Sequence, residues 1–108
     1  MEKTKTSKNY RSRTKEKHLE KRCLSAVREA GGFFIKLLPF VEVGLPDRLL
    51  LLPGGVVWFV ELKSSTGRLG PKQAFWQRRL RKLGMNYLCT SDFDEFCALV
   101  HGARDTKD

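Results

Sequence analysis

Asp47, Glu61 and Lys63 are the residues of this chain whose types and spacing could do chemistry together. Asp47 precedes an apolar run, Leu49 to Leu52. Glu61 and Lys63 follow another, Val56 to Val60, and Pro53-Gly54-Gly55 lies between the runs. This is the pattern of two strands joined by a tight turn. With a loop of those three residues the hairpin is symmetric about Gly54. Asp47 then lies directly across from Glu61, the side chains roughly 5 Å apart on one face. Lys63, two residues on, points to that same face. Opposed carboxylates repel, so one reading places a cation between them. The other is a polar strand end with solvated charges. A loop one residue shorter or longer would turn Asp47 to the opposite face, so the cation reading depends on register.

Other segments must hold this hairpin in place. Thr14 to Ala30 has helical spacing of Leu19, Cys23, Ala26, Val27 and Ala30, with Gly31-Gly32 as the stop. On a helical wheel Glu20 falls inside that apolar arc, between Val27 and Leu24, and Glu16 falls on it one turn earlier. A carboxylate on a buried face needs a partner. Either a core-edge Arg or Lys supplies it, or the acid joins the Asp47/Glu61 pair. Phe33 to Leu38 reads as a first strand ended by Pro39. Phe40 to Gly44 is a connector, and Gly44 and Pro46 set the entry to Asp47. Ser64 to Gly70 is a polar loop containing Arg68, either an ordinary surface loop or one that lies along a phosphate backbone.

A second helix opens at Pro71 and runs to about Leu83, with Gly84 as its stop. Trp76, Leu80 and Leu83 form its buried stripe. Gln73 lies on that stripe and must bond something, the backbone of a neighbouring strand being the plain candidate. Asn86 to Thr90 is a last short strand. Ser91 caps a final helix with acids in its first turn, and Phe93, Phe96, Cys97 and Val100 are its core positions. The order is α-β-β-β-α-β-α. The crossover from Val56–Leu62 to Asn86–Thr90 makes those strands parallel, so an α/β fold is expected, with a mixed sheet of about four strands flanked by helices.

A chain of 108 residues with 41% hydrophobic content is one domain with one modest core. The expected division is a mobile basic arm over 1–13, a folded domain over 14–102 and a frayed tail over 103–108. The arm carries Lys3, Lys5, Lys8, Arg11 and Arg13 and either adds phosphate affinity or solubilises. The net charge of +9 calls for an anionic partner, nucleic acid or an anionic membrane surface. No apolar run approaches the roughly 20 residues that span a bilayer. Nor is there a sustained basic amphipathic helix with large apolar residues, which argues against the membrane surface. The basic N-terminus has no apolar core after it, so it does not read as a secretory signal. Cys23, Cys89 and Cys97 are odd in number, lack CxxC spacing and fall in apolar patterns. Buried free thiols in a reducing cytoplasm are expected. His18 and His101 lack zinc-ligand spacing.

Between Leu62 and Ser91 there is no acidic residue, while Lys63, Arg68, Lys72, Arg78, Arg79, Arg81 and Lys82 all fall there. Solvated faces usually mix signs, so this reads as a basic wall for nucleic acid. Phe75 lies among these cations, placed to stack on a base or to pack on a second subunit.

Glu20, GLPD with Asp47, ELK with Glu61 and Lys63, and Gln73 together resemble the PD-(D/E)XK nuclease pattern. More narrowly, AGGFFIKLLPF, GLPDRLLLLPGG, FVELKSSTGRLGPKQ and LRKLGM resemble a VRR-NUC domain from about residue 16 to residue 100. The resemblance implies a restriction-endonuclease-like core and a Mg²⁺- or Mn²⁺-dependent endonuclease. It further implies that Asp47, Glu61 and the carbonyl of Leu62 hold the metal, with Glu20 completing the site through water or a second ion. By the same resemblance Lys63 orients or deprotonates the attacking water, and Gln73 holds the water or the lysine. Glu16 competes with Glu20 for the helix position. Arg68, Lys72, Arg78, Arg79 and Lys82 would contact nucleic acid. Stand-alone members resemble small dimeric nucleases that cut four-way junctions, so branched DNA and a homodimer are the implied substrate and assembly. The competing reading of the same charge is a non-catalytic nucleic-acid-binding module.

Overall fold

Strand alternation and the symmetric turn decide the architecture. In the computed structural model, which describes residues 2–38, 42–64 and 66–105, β1 (Phe33–Lys36), β2 (Arg48–Leu52) and β3 (Val56–Leu62) form an antiparallel ladder. Arg48 faces Val60 and Leu52 faces Val56, which is the register symmetric about Gly54. β3 runs on through α2 (Pro71–Lys82) to β4 (Tyr87–Thr90), which pairs with it in parallel. The sheet order is therefore β1-β2-β3-β4, mixed as expected.

One face of the sheet is covered by α1 (Glu2–Glu29) and α3 (Phe93–Asp105). Phe34, Leu50, Leu52, Val60 and Leu62 alternate onto that face and meet Leu19, Cys23, Val27, Phe96 and Val100 in a single core. Phe34 and Phe96 pack edge to face at 5.4 Å between ring centroids. The side chains on the opposite face are only partly covered: Phe33 is 68% exposed, Ile35 43% and Val57 41%.

Several local expectations shift. α1 begins at Glu2, not Thr14; the segment read as an arm has no glycine or proline to stop helical hydrogen bonding. α1 ends where expected: the Gly32 and Gly31 N–H groups bond back to the carbonyls of Val27 and Arg28, with Gly31 at φ +80°. β1 is shorter than Phe33–Leu38, and Pro39 to Val41 of the connector lie outside the described residues. Leu83 is 69% exposed, because α2 has ended there and its side chain leaves the buried stripe. Asp92, not Ser91, caps α3: its Oδ1 accepts the Asp94 N–H at 2.9 Å, and Thr90 Oγ1 holds the Asp92 N–H at 2.9 Å. α3 continues to Asp105, and residues 106–108 lie outside the described residues. Of the three free cysteines only Cys23 is buried. Cys89 and Cys97 are partly covered, Cys97 because it borders an open groove between α1 and α3. Among the described residues no helix is long and apolar enough to cross a membrane.

Candidate active site

The end of the hairpin farthest from its turn gathers the chemistry. Asp47 lies one residue before β2, and the Leu37 N–H bonds its backbone carbonyl at 2.7 Å, carrying the β1–β2 pairing past the assigned strand. Its approach is set by residues 42–46. Gly44 adopts φ +90°, and a Cβ there would come within 2.6 Å of the Lys72 backbone. Trp76 Nε1 donates to the Val43 carbonyl at 3.1 Å. The connector is thus held against the first turns of α2, and the buried Pro46 leads directly into Asp47.

On the β3 side the Leu62 N–H donates to Asp47 Oδ2 at 3.3 Å. Glu61 precedes it, 2% exposed. Burial, and then the Asp47 carboxylate beside it, raise Glu61 well above the usual carboxylate range, with Lys63 pulling it partly back. Lys63 Nζ stands 3.6 Å from Glu61 Oε2 and donates to Gln73 Oε1 at 3.0 Å. Gln73 Oε1 also accepts the Gly70 N–H at 2.9 Å, while Gln73 Nε2 donates to Glu61 Oε2 at 3.3 Å. These partners fix the amide's orientation, since the flipped form would aim its NH₂ at an ammonium and an N–H. The residue at the third position of α2 therefore ties the helix start to the acid and the lysine at once. The backbone of a neighbouring strand, the plain candidate from sequence, is not its partner; a glutamine side chain reaches the charged pair instead.

A cleft of about 340 Å³ opens beside these groups, lined by Glu16, Glu20, Lys36, Asp47 and Leu62 among others. Glu20 is engaged within it: Arg48 Nη2 lies 2.7 Å from its Oε2. Arg48 also donates to the Phe34 carbonyl at 3.2 Å and stacks its guanidinium over the Phe34 ring at 5.1 Å. Glu16, one turn earlier, is raised above the usual range by burial first and by Asp47 second. Nothing in the charge pattern marked Arg48. A core-edge Arg or Lys was one expected partner for the buried-face acid, and strand alternation, which turns Arg48 from Asp47's face to that of α1, makes Arg48 that residue.

Arg68, Lys72, Arg78, Arg79 and Lys82 are all exposed, the last four on α2, as is Arg81. Arg79 stacks over Phe75 at 5.3 Å, so that ring is partly claimed by its own helix. Ser65 lies outside the described residues, but its loop is braced by the Gly67 N–H on the Ser64 carbonyl at 2.9 Å.

Among the described residues no three His, Cys, Asp or Glu side chains gather tightly enough to hold an ion alone. The donor set near Asp47 is two carboxylates and backbone oxygen. That set fits Mg²⁺, a hard cation that keeps several of its own waters and takes few protein ligands. Two acids crowded together, one of them buried, are what such an ion would relieve.

No family model matches the chain. A protein named "Putative nuclease p44", from Acyrthosiphon pisum secondary endosymbiont phage 1, is 39% identical over 70 residues, spanning 65% of this chain and 75% of that protein. A solved structure described as a VRR_NUC domain superposes with a TM-score of 0.72 at 33% identity. It covers 81% of this chain and 95% of its own.

Proposed function

The chain belongs to the VRR-NUC family, and from that premise we propose that it is a divalent-metal-dependent endonuclease that hydrolyses phosphodiester bonds in branched DNA. The observation that carries the reading is the Glu61–Lys63–Gln73 cluster, joined by contacts of 3.0–3.6 Å at one end of the sheet, with Asp47 beside it on the Leu62 N–H at 3.3 Å. Asp47, Glu61 and the Leu62 carbonyl would hold Mg²⁺ or Mn²⁺, with one acid of α1 completing the site from the cleft. When bound, the ion supplies charge neutralisation at the phosphate and acidifies water. Lys63 Nζ would orient the attacking water, or deprotonate it from the neutral amine, and as an ammonium it would meet the charge that develops on the phosphorane. Gln73 holds that ammonium with its carbonyl and Glu61 with its amide, so that neither drifts when substrate enters. The water gives up a proton to neutral Lys63 or to solvent as its oxygen bonds to phosphorus, the bridging P–O bond breaks, and the departing oxygen takes up a proton from solvent.

Arg68, Lys72, Arg78, Arg79 and Lys82 would follow the phosphate backbone away from the cut, and the basic residues within 1–13 would extend that reach. The open sheet face is offered for a second copy of the chain. Phe33, Ile35, Leu49, Leu51, Val57 and Phe59 share it by alternation, an apolar stretch away from the Asp47/Glu61 end of the same face, so that stretch suits a self-complementary apolar contact better than a polyanion. Two sites related by a two-fold axis match the symmetry of a four-way junction.

The test is a cleavage panel of duplex, flap and four-way-junction DNA, with and without Mg²⁺ or Mn²⁺, run beside a sizing measurement. Metal-dependent cutting that favours branched substrates is expected from a dimer, and Asp47→Ala and Lys63→Ala are each expected to lose at least about 100-fold, the order of a lost acid–base or electrostatic group. Cutting by both variants at the wild-type rate would overturn the site. Intact DNA under every metal, with steeply salt-dependent binding, would leave the protein a binding module.

A further inference from the structure

Two acids on α1 line the cleft, Glu16 and Glu20, one helical turn and about 6 Å of rise apart. The geometry points to a division of labour between them: Glu16 faces the ion's water shell, and Glu20 with Arg48 is the latch that sets α1 at the right height. This inference rests on the metal-dependent reading above and deepens it.

The ion pair argues for the latch. Arg48 Nη2 and Glu20 Oε2 are 2.7 Å apart, with the arginine side chain 12% exposed and the glutamate 35%. Arg48 is held on its other side by the Phe34 carbonyl and ring, so it is anchored to β1 before it reaches α1. An oxygen committed to a largely buried guanidinium gains little by moving to a cation, because the guanidinium would lose its counter-charge. Arg48 is also the residue next to Asp47. The strand's alternation sends one side chain to the ion site and the next to the helix, so the latch and the first acid share a single stretch of backbone. With α1 fixed at Glu20, the side chain one turn nearer its start is carried over Asp47. Glu16 lines the same cleft as Asp47 and Leu62, close enough for the Asp47 carboxylate to act on it. Because no three acids close directly on one point among the described residues, Glu16 acts through water rather than as a ligand. Arg48 and Glu20 are accordingly positioning residues.

The test titrates Mn²⁺ calorimetrically into the full-length wild type, Glu16→Gln, Glu20→Gln and Asp47→Asn, with thermal unfolding of each metal-free protein alongside. Glu16→Gln is expected to weaken Mn²⁺ by about 10-fold, the lower end of what losing an outer-shell partner costs, without lowering the melting temperature. Glu20→Gln is expected to keep Mn²⁺ affinity within about 3-fold while lowering that temperature. Arg48→Met should lower it further, and Arg48→Met/Glu20→Met should recover most of the loss, since removing both charges of a buried pair costs less than removing one. If Glu20→Gln weakens Mn²⁺ by 10-fold or more, or Glu16→Gln does not weaken it, the division is overturned even though Asp47→Asn abolishes binding. If the wild type takes up no Mn²⁺, the metal-dependent reading itself falls, and this inference with it.

Discussion

Glu61 is the residue under most stress. It is almost fully buried, it faces Asp47, and its relief comes from Lys63 and the Gln73 amide. Its pKa is raised from 4.5 to about 8, by burial before anything else. The folded chain therefore holds this proton more tightly than the unfolded chain does. The stabilisation is complete below about 4.5 and is lost as pH climbs through about 8. Metal-free protein should thus lose stability from pH 6 to pH 8.5. Mg²⁺ or Mn²⁺ should raise the unfolding midpoint more at pH 8.5 than at pH 6, because the ion competes with the proton for the same oxygens. Chemical denaturation at the two pH values measures this; an equal metal effect at both would contradict it.

At the scale of elements, the hairpin was the most legible part of the chain. A three-residue turn and period-2 alternation leave one register, and that register brings Asp47 to the Leu62 N–H beside Glu61. Helix stops were legible because glycines supply the left-handed cap. The Arg48–Glu20 pair was not, since an ion pair between a helix and a strand depends on tertiary placement that no local pattern encodes. The start of α1 was not legible either, because a polar run without a breaker reads alike as arm or helix. At α3, Ser91 and Asp92 are both good caps, and the Thr90 hydroxyl holding the Asp92 N–H decides between them. The connector's grip on α2 also escaped the pattern, although Gly44 was singled out. Its φ of +90° and its approach to Lys72 leave no room for a side chain. Gly44→Ala should cost about 2 kcal/mol or more, within the range for strained backbone, and should lower activity as Asp47 shifts. Urea unfolding that shows no loss would mean that the connector is not held as described.

Across the whole molecule the surfaces divide by chemistry. Cations cover the outside of α2 and the loop before it, where no acidic residue falls between Leu62 and Ser91. Phe33, Ile35 and Val57, apolar and exposed, lie on the sheet face turned away from α1 and α3. The acids converge at one end of the sheet, between those two surfaces. A net charge of +9 draws a polyanion to the protein from any side, and that end offers buried carboxylate oxygen beside an ammonium. The chemistry of that end requires a bound cation. Diffraction from crystals soaked in Mn²⁺, collected at the manganese edge, tests it most directly. An anomalous peak within about 2.3 Å of both the Asp47 and Glu61 carboxylates, at a distance usual for oxygen ligands of such ions, is the predicted result. A peak elsewhere, or no peak with the two carboxylates left as they are, would contradict it.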